Sequence, residues 1–115
     1  MCMALMPLGI FLPTALIVIS EANTYLEQAM AKEPNNPVVL DSMGWLRFKQ
    51  GRLNEAAELL KRAFAQLPDP EIAAHYAEVL WQKGDKKQAI SVLNAAILLE
   101  PDDENLLALR QKMGL

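Results

Sequence analysis

Two stretches of this chain repeat each other at a fixed distance, and a period of that length leaves few folds open. The stretch "KQGRLNEAAELLKRAFAQLP" begins at residue 49 and "QKGDKKQAISVLNAAILLEP" at residue 82. Gly51 pairs with Gly84, Ala56 with Ala89, Leu60 with Leu93, Ala63 with Ala96 and Pro68 with Pro101, each 33 residues on. A partial earlier copy, "EANTYLEQAMAKEP", places Ala22, Leu26, Ala29 and Pro34 34 residues ahead of Ala56, Leu60, Ala63 and Pro68. Periods of about 20 to 50 residues belong to repeat arrays, in which each unit buries its apolar face only against its neighbours.

Each unit reads as two helices. In the unit over residues 35–68, helix A is predicted over about 38–50, behind Asn35, Asn36 and Pro37. Asparagine caps a helix start, and proline suits the first turn. Leu40, Met43, Gly44 and Arg47 recur at helical spacing along one face. Gly51 ends the helix because glycine accepts the left-handed cap conformation. Helix B is predicted over about 53–66, with Asn54 or a nearby polar group at its start and an apolar stripe of Ala56, Leu59, Leu60, Ala63 and Phe64. Pro68 stops it, lacking the N–H and disfavouring helix just before it. The unit over 69–101 repeats the plan, with helices over about 71–83 and 86–99. Small residues at Gly44, Ala56, Ala63, Ala89 and Ala96 let paired helices approach closely. The tail over 102–115 opens with Asp102, Asp103 and Glu104, which favour a helix N-terminus. Leu106, Leu107 and Leu109 are expected to pack back on the last helix B, as a capping helix does.

This pattern resembles the tetratricopeptide repeat family. Its motif positions read Leu40, Met43-Gly44, Arg47, Ala56, Leu60, Ala63 and Pro68 in the first full unit. In the next they read Ala73, Tyr76-Ala77, Leu80, Ala89, Leu93, Ala96 and Pro101. Arg47 stands where the family carries an aromatic, and Ala73 and Ala77 depart from larger or glycine residues. The resemblance covers about residues 21–101 and implies an all-α fold, a right-handed superhelix of antiparallel helix pairs. The segments "LDSMGW" and "PDPEIAAHYAEVLWQKGD" also resemble the C-terminal repeats of long bacterial cell-envelope proteins of this family, which are scaffolds or adaptors.

The family's A helices line a concave groove that holds a peptide or partner protein. By resemblance the groove positions here are Val38, Asp41, Trp45, Phe48 and Lys49, then Glu71, Ala74, Glu78, Trp81 and Gln82. Trp45, Phe48 and Trp81 form an aromatic surface of the kind enriched at binding hot spots. Asp41, Glu71 and Glu78 add negative charge, so the expected ligand is apolar with a basic residue. The alternative for the three aromatics is packing between neighbouring A helices. One subfamily holds chaperone C-terminal carboxylates with lysine and asparagine. Asp41 and Trp45 occupy two of those places, which argues against that ligand. A structural piece of a larger array, acting through self-packing, is the alternative to an adaptor.

The chemistry of a catalytic centre is not visible in the residues. The chain has 115 residues, one histidine (His75) and one cysteine (Cys2). A single thiol closes no intrachain disulfide, and His75 has no Cys or His neighbour at ligand spacing. The glycines are isolated, so no phosphate loop forms. No enzyme activity, cofactor or metal is therefore expected. A net charge of −3, with Lys and Arg spread along the chain, argues against nucleic acid.

Residues 1–20 carry no charge. The stretch lacks the basic leader of a secretion signal, and Pro7 and Pro13 interrupt any span of about 20 apolar residues. Leu8-Gly9 resembles the Leu-Gly pair of helix A, so the stretch reads as a degenerate first helix ahead of helix B over 21–34. Membrane association, if present, is confined to this stretch. Its apolar residues Leu5, Leu8, Ile10 and Phe11 need cover, which makes self-association through the N-terminal face an expectation.

Overall fold

The structure is a computed structural model. It describes the backbone over residues 14–115 and the side chains over 21–115. Six helices follow in order among the described residues: α1 (Thr14–Lys32), α2 (Pro37–Lys49), α3 (Leu53–Gln66), α4 (Pro70–Lys83), α5 (Lys86–Leu99) and α6 (Glu104–Lys112). Helices α2 and α3 form one A–B pair and α4 and α5 the next, with α3 packed on α4 and α6 set against α4 and α5. This is the all-α helical repeat expected from the period.

Of the expected degenerate first helix over residues 1–20, residues 1–13 lie outside the described residues, as do the side chains of 14–20. The boundary drawn between 20 and 21 falls inside α1, which runs unbroken from Thr14. No glycine or proline lies between Thr14 and Lys32 to interrupt it.

The helix boundaries follow from local chemistry. Asn36, Asp69 and Asp103 each cap a helix start, their side-chain oxygens accepting from the N–H of Val38 (2.9 Å), Glu71 (2.9 Å) and Leu106 (3.0 Å). Proline then occupies the first turn of α2 and α4. At the A–B turns, Gly51 (φ 80°) and Gly84 (φ 95°) take the left-handed conformation. The next residue's N–H reaches back to Arg47 O and Leu80 O at 2.9 Å each, satisfying carbonyls the helix leaves open. Leu67 and Glu100, each before a proline, leave the helical region (φ −141° and −131°), as the proline ring favours. One expectation fails: α3 begins at Leu53 behind Arg52, which makes no side-chain cap, and Asn54 lies inside the helix.

The A–B contact is built on small residues. A Cβ at Gly44 would lie 2.7 Å from Leu60 Cγ, so Leu60 rests directly over the α2 backbone. Leu40, Leu60, Leu93 and Leu106 are fully buried, as are Ala56, Ala63, Ala73, Ala77 and Ala89. One core runs through α3, α4, α5 and α6; Phe64 joins it to a smaller cluster of Leu40, Ala63 and Ile72. Arg47, the departure from the family's aromatic, ties α2 to α1. Its Nη1 donates to Asn23 Oδ1 at 2.7 Å and to Gln50 Oε1 at 2.8 Å. Arg62 similarly holds the α1–α2 loop, donating to Pro34 O and Asn35 Oδ1.

The tail corrects the expected packing in one place. Leu106, Leu109 and Met113 are buried, but Leu107 is 39% exposed. Counting from the caps, Leu107, Arg110 and Gln111 stand where Leu40, Met43 and Gly44 stand in α2, the face that meets a helix B. In α6 that face meets solvent, while the face carrying Leu106 and Leu109 rests on α4 and α5.

Tyr76 gives the fold a pH dependence. Burial pushes its phenol above the ordinary tyrosine value, and the charges of Glu58 and Asp85 add to the shift. The folded state therefore holds the phenol proton more tightly than the unfolded chain. That stability is whole below the ordinary value of about 10 and is lost as pH rises beyond it. Tyr76→Phe is expected to flatten the fall of the urea midpoint between about pH 9 and 11. Equal slopes in the two proteins would contradict this.

Candidate functional site

The A helices α2, α4 and α6 each begin at a side-chain cap, so residues at equal distance from Asn36, Asp69 and Asp103 share a place on the helix. Five positions after the caps stand Asp41, Ala74 and Ala108; nine after them stand Trp45, Glu78 and Lys112. All of these but Asp41 line a cleft of about 390 Å³. Trp45 forms its wall on α2. Glu71, Ala74, His75 and Glu78 line it on α4, and Asn105, Ala108, Leu109 and Lys112 on α6. The volume lies in the range of small-ligand and side-chain pockets.

Two lateral contacts join the A helices, each linking residues 34 apart. His75 Nδ1 lies 2.8 Å from Asp41 Oδ1. If Asp41 is ionised it only accepts, so the imidazole carries its proton on Nδ1 and turns its other nitrogen away from Asp41. Lys112 Nζ donates to Glu78 Oε2 at 3.0 Å. The His75 ring stacks on Trp45 with centroids 4.1 Å apart and planes 22° apart.

Of the ten groove positions expected from sequence, Trp45, Glu71, Ala74 and Glu78 meet in the cleft. Asp41 stands behind it, holding His75. The other five lie outside the lining. Val38 is 61% exposed at the start of α2, and Gln82 is exposed near the end of α4. Phe48 packs on the core and tilts against Trp45 at 4.8 Å. Lys49 Nζ sits 4.9 Å from the Trp45 centroid and 5.7 Å from that of Phe48. Trp81 packs on the core under Lys86 Nζ at 4.9 Å.

The three aromatics thus spend much of their surface inside the protein: Trp45 lies between His75 and Lys49, and Phe48 and Trp81 lean on the core. His75 and the α6 residues Asn105, Ala108, Leu109 and Lys112 escaped sequence reasoning. The signal that finds them is the cap spacing, 36 to 69 to 103, which marks α6 as another helix A. Among the described residues no group of three or more His, Cys, Asp or Glu side chains is placed to hold a metal ion, and no helix is long and apolar enough to cross a membrane.

Stacked antiparallel helix pairs whose A helices enclose a cleft define an α-helical repeat protein. Comparison with known sequences places it more narrowly. The tetratricopeptide repeat profile matches residues 19–74 and 47–113, and the chain belongs to that family. It is 40% identical over 76 residues, 66% of its length, to the TPR repeat-containing protein PA4667 of Pseudomonas aeruginosa, and covers 13% of that protein. It is 31% identical over 85 residues, 74% of its length, to the beta-barrel assembly-enhancing proteases of Escherichia coli K12 and Shigella flexneri, and covers 18% of each. The chain therefore spans less than a fifth of these relatives. Tetratricopeptide repeats generally mediate protein–protein interaction.

Proposed function

We propose that this chain is a non-catalytic adaptor module that holds a peptide segment of a partner protein in the cleft between α2, α4 and α6. One observation carries the reading: three successive A helices line one open cleft, α2 with its ninth position after the cap and α4 and α6 with their fifth and ninth. Its small floor residues, Ala74 and Ala108, leave room for a ligand backbone or side chain. The similarity to proteins named as proteases covers 18% of their length, and no serine, threonine or cysteine lines the cleft beside His75.

A cleft-filling variant tests this. Labelled protein is applied to an immobilised array of random twelve-residue peptides, beside Ala108→Arg, which places a long side chain on the cleft floor. The wild type is expected to retain a subset of peptides. Ala108→Arg is expected to lose them by about tenfold, with an unchanged far-ultraviolet circular dichroism spectrum. Full retention by the variant would overturn the proposal.

A second reading has its own support. Leu98 is 83% exposed and Leu99 66%, and Leu107 and Leu115 add further exposed apolar surface on and beyond α6. Such surface suits packing against another repeat or another copy. A monomer by sedimentation at high protein concentration would remove the self-packing version.

A further inference from the structure

We infer that the cleft selects a peptide carrying an arginine, with Glu71 as the residue that reads its charge. This rests on the peptide-binding reading above. The cleft offers acceptors over a small apolar floor. Glu71 is exposed at its rim and forms no ion pair among the described residues. Glu78, 22% exposed, is engaged among the described residues by Lys112 alone, whose side chain is 65% exposed. An exposed lysine head is readily exchanged for a ligand cation, because such a pair is worth little in water.

Both neighbouring chemistries fit less well. A ligand aromatic would want a free ring face, but His75 covers one side of Trp45 and Lys49 approaches its ring as well. A ligand carboxylate would meet Glu71 and Glu78 with Asp41 close behind. A basic side chain instead lays its methylene stem on Ala74, Ala108 and Leu109 and brings its head to a carboxylate. Arginine is favoured over lysine because the planar guanidinium pairs with a carboxylate through two parallel hydrogen bonds and is more weakly hydrated. Glu71 and Glu78 stand two helical turns apart, about 10 Å along the axis, so one guanidinium engages one of them. Glu71, free of a competing cation, is that one.

The test takes the peptides retained by the wild-type protein and replaces arginine with citrulline, its uncharged isostere. Arginine is expected to be enriched among retained peptides, and citrulline is expected to weaken binding to the wild type by about tenfold. On Glu71→Gln the arginine peptide should already bind weakly, and citrulline should then change its affinity by less than about twofold. Retained peptides with no arginine enrichment, or a citrulline penalty undiminished in Glu71→Gln, overturn the arginine assignment and leave the groove reading standing. Retention that survives Ala108→Arg overturns both.

Discussion

Leu60→Ala is expected to be the most damaging single truncation in the chain, lowering stability by about 2–5 kcal/mol. Leu60 is fully buried and sits over Gly44, where the α2 backbone comes nearest to α3. Two helices held by a leucine over a glycine cannot easily close on the space that truncation leaves. The penalty then includes the unfilled cavity as well as the lost apolar burial. Against a total stability of about 5–15 kcal/mol for a domain of this size, that is a large share. The urea midpoint should fall while the slope of the transition stays as in the wild type. Leu98→Ala is the control: its side chain is 83% exposed, and its midpoint should not fall. A Leu60→Ala loss below about 1 kcal/mol would mean that the α2–α3 contact relaxes freely.

Leu106→Ala acts on the cleft as well as the core. Leu106 is the fully buried anchor of α6, a helix that among the described residues packs on α4 and α5. A nine-residue helix has little stability of its own, so most of its order comes from that contact. Losing the anchor should free α6 before the rest of the molecule unfolds. Hydrogen exchange is expected to accelerate at the amides of 106–112 by about a hundredfold or more, corresponding to roughly 3 kcal/mol of lost local protection. The amides of α4 and α5 should accelerate much less. Capture of peptides should drop with it, because Asn105, Ala108 and Lys112 leave the cleft together. Unchanged protection in α6 would show that Leu109 and Met113 suffice to hold it.

The helices were legible in the sequence because their signals are local. Asn36-Pro37, Asp69-Pro70, Gly51, Gly84, Pro68 and Pro101 each act within a few residues of the boundary they set. The packing of α2 on α3 was legible too, since the apolar spacing of Leu40, Met43 and Gly44 answers that of Ala56, Leu60 and Ala63. The cleft was only partly legible. Trp45, Glu71, Ala74 and Glu78 were found by their places on helix A. The stacking of Trp45 on His75 depends on how far one A helix stands from the next, which no local pattern states.

Helix α6 shows the same limit from the other side. Leu106 and Leu109 announced that it packs, and Asp103 that it is capped. Its part in the cleft went unread because Asn105, Ala108 and Lys112 are ordinary surface residues until α4 is set beside them. Leu107 was misjudged for a related reason: three leucines in four residues cannot all share one face of a helix.

The central claim is that ligand binds where α2, α4 and α6 converge. Amide chemical-shift mapping tests it most directly, by titrating isotope-labelled protein with a peptide retained on the array. The expected shifts concentrate on residues 71–78 and 105–112, with the Trp45 indole N–H moving among them. Shifts concentrated on α3 and α5, with α4 and α6 unmoved, would contradict it.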